Sequence, residues 1–180
     1  MEDLLGVLGR ERQVLENLLF RLLEARSLLA THETRFLHLA AEDVEAAAER
    51  VREVELRRAL LPSLGGDGTL RDLTRRSPSP LSGILADHRA ALGRLAAEVG
   101  AVIEAIQEEC EIGLSRLRRK RPLAAVGGSH RPWHSPVQPR ERDVTDTLDE
   151  LDREILVAGY ESLQAASARL ALPSFVAFLG

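Results

Sequence analysis

The stretch from Arg10 to Leu61 decides the fold: RERQVLENLLFRLLEARSLLATHETRFLHLAAEDVEAAAERVREVELRRALL. Its leucines, valines and alanines recur at alternating spacings of three and four residues on both sides of a short break at residues 30–34. That spacing puts apolar side chains on one face of an α-helix. Because so short a connection makes two helices antiparallel neighbours, the stretch predicts a helical hairpin.

The first predicted helix of this hairpin runs from about Asp3 to Leu29. Its seam comprises Leu8, Leu15, Leu18, Leu22, Ala25 and Leu29. A further group widens the apolar face beyond the stripe that a two-stranded coil needs; it comprises Leu5, Leu19, Phe20 and Leu23. The surplus predicts a second neighbour on the flank of the helix, and these four are candidate partner-binding residues.

The second predicted helix ends at Pro62, and either Thr31 or Thr34 could cap its start with a hydroxyl group. Its seam has the same spacing and comprises Leu37, Ala40, Val44, Ala47, Val51, Val54 and Leu61. The alanines of this seam would let the two helix backbones approach closely. The hairpin therefore supplies two helices of the predicted core.

The chain beyond the hairpin alternates breakers with helical patterns. Glycines and prolines interrupt residues 62–80, where only Thr69 to Arg76 could form a short helix capped by Thr69. A third long helix is predicted from Leu81 to Arg121. Its glycines, Gly93, Gly100 and Gly113, mark either close packing or local softness.

Residues 122–140 contain four prolines and two adjacent glycines without periodicity, which predicts a linker. A fourth helix is predicted from Asp143 to Ala171, followed by an apolar tail. The predicted fold is therefore all-α: an elongated antiparallel three-helix bundle at 1–121, a Pro/Gly-rich linker at 122–140, and an additional C-terminal helix with its tail at 141–180.

The C-terminal region supplies the remaining candidate partner-binding residues, Leu156, Tyr160, Phe175 and Phe178. Two of the chain's five Phe and Tyr residues lie in the last eight positions. Two interpretations stay open for this tail. It either folds back over an apolar edge of the bundle or serves as a short docking peptide.

The composition limits the classes of function. Only 3% of residues are aromatic while 44% are hydrophobic, so the apolar surface is aliphatic and suits helix stripes. The net charge is −4 with acids and bases intermixed, which gives no general attraction for nucleic acid or anionic lipid. The single Cys110 fits a reducing compartment. With an acidic amino terminus and no long apolar run, the chain is expected to be cytoplasmic and not inserted in a membrane.

No residue pattern points to catalysis, a cofactor or a metal. His130 and His134 flank Pro132 and lack further ligands, and Gly65 to Gly68 lacks the lysine of a phosphate-binding loop. The basic run at 116–121 could contact phosphate, but cations at a helix C-terminus also complement the helix dipole, which is the favoured interpretation. The chain is expected not to be an enzyme.

The hairpin resembles the FlgN-type flagellar export chaperones, in a divergent form typical of actinobacteria. The resemblance covers about residues 4 to 120. The segments that carry it are Arg10-Glu11-Arg12, Leu15 to Leu22, Phe36-Leu37, Glu42 to Glu45, Arg52 to Ala59 and Leu81 to Leu92.

The resemblance implies a cytoplasmic chaperone that binds the C-terminal helices of hook-associated proteins, prevents their premature assembly and delivers them to the flagellar export gate. A helix lying in an apolar groove is a mode of binding that suits the surplus apolar face. The alternative function is a coiled-coil scaffold or adaptor unrelated to export, which would form a homodimer. Nucleic-acid binding through residues 116–121 is a weaker third alternative.

Overall fold

The computed structural model describes residues 2–61, 68–119, 142–170 and 172–180. Within these ranges the chain is helical and contains no strand, which confirms the predicted all-α class. The described ranges hold six α-helices: α1 Glu2–Ala30, α2 Leu37–Ala59, α3 Leu70–Arg76, α4 Leu81–Arg119, α5 Arg142–Ala168 and α6 Pro173–Leu179. The predicted linker at 122–140 lies outside the described residues, and the division into three regions stays a prediction.

Helices α1 and α2 form the predicted antiparallel hairpin. Glu11 pairs with Arg58 far from the turn, and Arg21 pairs with Asp43 nearer to it. All six predicted seam residues of α1 are buried, as are the predicted seam residues of α2 from Leu37 to Val54. The spacing of apolar residues therefore predicted the buried face of both helices.

The turn of the hairpin is built differently from the sequence prediction. Backbone N–H groups of His32 and Glu33 donate to the carbonyls of Leu29 and Leu28, which is the Schellman closure of a helix. His32 has a φ of 59°, the left-handed conformation that this closure requires. Neither Thr31 nor Thr34 caps α2, so that prediction was wrong. A 3₁₀ turn at Thr34–Phe36 leads into α2, and the Thr31 hydroxyl donates to the Ser27 carbonyl instead.

Helix α5 packs against both α2 and α4, while α1 also packs against these two helices. Arg153 of α5 donates a hydrogen bond to the Leu117 carbonyl of α4, and Tyr160 lies against Gly113, so α4 and α5 are antiparallel. Arg169 pairs with Glu45 on α2. The four long helices thus enclose one continuous core, and the last long helix belongs to it.

The glycines of α4 divide into two kinds. A Cβ built at Gly113 would lie 2.5 Å from Cζ of the Tyr160 ring, inside contact distance. A Cβ built at Gly93 or Gly100 would have no atom within 4 Å beyond its own helix. Close packing therefore explains Gly113 alone among these three.

The short helices α3 and α6 lie at the end of the bundle that is distant from the hairpin turn. Thr69 caps α3 as predicted, because its Oγ1 accepts the backbone N–H of Asp72 at 3.1 Å. Helix α6 packs against α4 and α3. Pro173 stands in the first turn of α6, where the proline's missing N–H breaks no helical hydrogen bond.

Candidate functional site

Four large apolar side chains near the hairpin turn are exposed, and we call them together the hairpin patch: Phe20 and Leu23 on α1, Phe36 in the 3₁₀ turn before α2, and Leu39 in the first turn of α2. Their exposed fractions lie between 43% and 53%. A cleft of about 360 Å³ runs between the two helices at this level. Its lining comprises Arg21, Glu24, Ser27, Leu28, Phe36, Leu39, Ala40 and Asp43.

The two α1 members of the patch, Phe20 and Leu23, are not lining residues of this cleft. Phe20 precedes Glu24 by four residues, and Leu23 precedes Ser27 by four, so each lies one turn from a lining residue on the same side of α1. The patch therefore combines two protruding side chains with a recess. That shape suits a partner that offers apolar side chains of its own.

Charges around the cleft are paired within the chain. Arg21 Nη1 lies 2.8 Å from Glu24 Oε2 and 3.4 Å from Asp43 Oδ2. The Arg21 guanidinium also lies 5.6 Å from the centre of the Phe20 ring. One guanidinium thus faces two carboxylates and leaves one net negative charge at the cleft, beside apolar side chains that a partner could bury.

The eight predicted partner-binding residues do not share one surface. Phe20 and Leu23 are exposed on α1, whereas Leu5 and Leu19 are half-buried and pack against the core. Leu156 is half-buried on α5. The aromatic members are buried elsewhere: Tyr160 packs against α4, and Phe175 and Phe178 lie on the buried side of α6. Their role in binding stays a prediction.

Sequence reasoning missed Phe36 and Leu39 as members of the patch. Both lie close to the seam residue Leu37 but fall off the three-four spacing of the seam. An apolar residue that lies near a turn but outside the seam is the sequence feature by which they could have been predicted.

The C-terminal tail folds back, which is the first of its two interpretations. Phe175 has no exposed surface, and Phe178 and Leu179 are each 9% exposed. The Arg58 guanidinium lies 3.9 Å from the centre of the Phe178 ring and 5.6 Å from that of Phe175. Two aromatic residues of α6 therefore rest on one cation of α2.

Arg58 also forms a buried ion pair with Glu11 of α1. Its Nη1 donates to Glu11 Oε1 at 2.7 Å, and the two side chains are 8% and 2% exposed. Within the described residues, no group donates a hydrogen bond to the other oxygen, Oε2. Burial raises the pKa of the Glu11 carboxyl from 4.5 to about 7, against the opposing charge of Arg58, and Glu55 adds to the rise.

The pairing of Glu11 with Arg58 was not predicted from the sequence. Glu11 nevertheless lies three residues after Leu8 and four before Leu15, on the seam of α1. Arg58 follows the seam residue Val54 by four. Opposite charges lie on the two seams at similar distances from the turn, and this feature of the sequence could have predicted the pair.

The raised pKa of Glu11 predicts a specific pH dependence. Because the folded chain binds this proton more tightly than the unfolded chain, the contribution of Glu11 to stability is fully present below about pH 4.5 and is lost as the pH rises through about 7. We expect the free energy of unfolding, relative to that of a Glu11→Gln variant, to fall across this window. Urea unfolding from pH 4.5 to 8 measures it, with Glu16→Gln on the exposed face of α1 as the control. Parallel pH profiles for wild type and Glu11→Gln would contradict the assignment.

Cys110, the histidines and the basic run were the remaining candidates for chemistry in the sequence. Burial raises the pKa of the Cys110 thiol to about 12, so the thiol stays protonated and is a weak nucleophile. The described residues contain no group of three or more histidine, cysteine or carboxylate side chains arranged to hold a metal. His130 and His134 lie outside the described residues. Arg116 and Arg118 of the basic run are exposed near the end of α4.

Among the described helices, none combines the length and the apolar character needed to cross a membrane. No protein-family model matches the chain, and no curated protein and no solved structure is significantly similar to it. The family resemblance therefore rests on the sequence segments quoted above.

Proposed function

We propose that this chain is a cytoplasmic FlgN-type flagellar export chaperone. It would bind the C-terminal helices of hook-associated proteins, prevent their premature assembly and present them to the export gate. In this proposal the three-helix unit of α1, α2 and α4 is the chaperone domain, and α5, which follows the proline-rich segment, completes its core by packing against α2 and α4. Neither catalysis nor a cofactor, nucleic acid or membrane insertion takes part.

The hairpin patch is the observation that supports this proposal. Four large apolar side chains are about half exposed near the turn of the helical hairpin that carries the family resemblance, and two of them, Phe36 and Leu39, line a cleft of about 360 Å³. Single exposed apolar residues are ordinary, but a cluster of them beside a recess is typical of a protein-binding surface. An amphipathic helix could place its apolar anchors there and bury about 1,000 Å² or more in total.

The scaffold alternative has less support from the packing. A coiled-coil homodimer would use the narrow leucine stripe of α1, but every residue of that stripe is already buried inside the chain. Dimerisation would then have to use the hairpin patch or another surface. Light scattering over a concentration series tests this: a dimer that persists on dilution would favour the scaffold function.

Replacing both patch residues of α1, in the variant Phe20→Ser/Leu23→Ser, should weaken binding to a hook-associated protein's C-terminal helices at least about tenfold. Each large apolar side chain contributes about 1.5–3 kcal/mol when buried, and about 1.4 kcal/mol corresponds to tenfold in affinity. Calorimetric titration of the purified chain with that fragment measures the effect.

Leu56→Ser provides the matched control, because Leu56 is 67% exposed on α2 away from the patch. Its affinity should equal that of the wild type. Failure of the wild-type chain, folded by circular dichroism, to bind any hook-associated fragment would overturn the proposed function.

A further inference from the structure

The cleft beside the hairpin turn is apolar at one end and charged at the other. Its apolar lining near the turn includes Phe36 and Leu39. Its charged lining lies farther along the two helices and comprises Arg21, Glu24 and Asp43. Asp43 follows Leu39 by four residues, so the two side chains lie one helical turn, about 6 Å, apart on α2. One wall of the cleft therefore presents an apolar group and a carboxylate at the spacing of a helical turn.

The three charges of the cleft do not cancel. Arg21 Nη1 donates a hydrogen bond to Glu24 Oε2 at 2.8 Å and lies 3.4 Å from Asp43 Oδ2. Glu24 therefore has the closer contact with the guanidinium, and the side chain of Asp43 remains 60% exposed. The excess negative charge of the cleft is located mainly at Asp43.

The neighbouring arginines do not neutralise this charge. Arg26 Nε on α1 lies 3.2 Å from Glu109 Oε1 on α4, and Arg35 Nη2 lies 3.3 Å from Glu33 Oε2. Each of these cations is matched by its own carboxylate. Among the described residues, no cation other than Arg21 lines the cleft. A partner that brings a positive charge is therefore complementary to this surface.

We propose that the cleft selects a helix of another protein that carries a lysine or an arginine one turn from an apolar anchor, and that Asp43 determines this selectivity. The anchor contacts Phe36 and Leu39 while the cation meets Asp43. A helix fits because its side chains three or four positions apart match the spacing of Leu39 and Asp43. This inference rests on the proposed function, since it specifies the chemistry of the helix that the same surface binds.

The exposure of the charges sets the size of the effect. The side chains of Arg21, Glu24 and Asp43 are 35%, 45% and 60% exposed. An exposed ion pair changes an affinity by up to about fivefold, and a like charge in the same place is unfavourable by a similar factor. Apolar contact therefore supplies most of the affinity, and the charge decides between helices that bury equal apolar area.

The test uses two synthetic amphipathic helical peptides with the same apolar stripe, which differ only in having lysine or glutamate one turn from the central leucine. Each is titrated calorimetrically into the full-length chain at low salt. We expect the Kd of the lysine peptide to be at least about threefold lower than that of the glutamate peptide. Asp43→Asn should abolish this preference, and Asp43→Lys should reverse it.

Matched controls separate the local charge from other effects. Glu53→Gln changes the net charge as Asp43→Asn does, but Glu53 is exposed on α2 about 15 Å farther along the helix, so the preference should persist. Phe36→Ser/Leu39→Ser should weaken both peptides by the same factor, at least about tenfold. In about 1 M salt, where the Debye length is about 3 Å, the preference should disappear.

Equal affinities of the two peptides for the wild type would overturn the proposal, as would failure of both to bind or a lysine preference that survives in folded Asp43→Asn. Because the peptides do not come from a hook-associated protein, this result is independent of the binding experiment that tests the proposed function. If light scattering shows that the wild-type chain is a dimer that the lysine peptide dissociates, a second copy occupies the cleft and the assignment to another protein is wrong.

Discussion

Arg58→Met is expected to lower the free energy of unfolding by about 3–5 kcal/mol at pH 8, because the buried carboxyl of Glu11 must then either stay ionised without its partner or take up a proton from a solution that is poor in protons. Methionine keeps much of the length of arginine, so packing beneath Phe178 is largely retained. The loss should be smaller at pH 5, where the raised pKa of Glu11 keeps the carboxyl protonated. Urea unfolding at the two pH values measures both effects.

The double variant Glu11→Leu/Arg58→Met is the decisive control. Replacing both members of a buried ion pair with apolar residues is often neutral or stabilising, so it should recover most of the loss. Arg52→Met, which breaks an exposed pair with Glu49 on the same helix, should change stability by less than about 1 kcal/mol. A single Arg58→Met variant as stable as the wild type at pH 8 would contradict the assigned role of the pair.

Gly113→Ala is the second substitution with a large expected effect. The added methyl group would overlap the Tyr160 ring, and forcing extra volume into a packed core destabilises by about 1–3 kcal/mol. Since Tyr160 joins α5 to α4, we also expect faster hydrogen exchange of backbone amides in α5. Thermal unfolding and exchange measured by mass spectrometry test the two expectations.

Gly93→Ala and Gly100→Ala are matched controls on the same helix. A methyl group at either position meets no atom within 4 Å beyond the helix. The change in stability should therefore come only from the higher helix propensity of alanine. Each should therefore stabilise the chain by up to about 1 kcal/mol. Destabilisation of similar size at all three glycines would show that the contact with Tyr160 is not what distinguishes Gly113.

Much of the hairpin followed from the sequence because its contacts are local. The three-four spacing of Leu15, Leu18 and Leu22 fixes which face of α1 is apolar, and a short break fixes the direction of α2. The cap of α3 was also predictable, because Thr69 and Asp72 are three residues apart. The turn was not, because a left-handed His32 has no marker comparable to glycine.

The candidate surfaces were only partly predictable. Phe20 and Leu23 could be recognised as surplus apolar residues, but whether Leu5 and Leu19 stay exposed depends on how α4 lies beside α1. The sequence left the tail open between two interpretations. Only the tertiary structure shows that Arg58 lies beneath Phe175 and Phe178 and holds the tail against the bundle.

The sequence by itself determined that this chain is all-α, where its long helices begin and end within a few residues, and which residues of the hairpin are buried. These properties depend on hydrophobic periodicity, breakers and caps, which act between residues close in the chain. Tertiary structure decided that α5 packs against α2 and α4, that Gly113 makes room for Tyr160, and that Glu11 meets Arg58 under α6. Those contacts join residues up to 124 positions apart, as in the pair of Arg169 and Glu45, and no local preference encodes them.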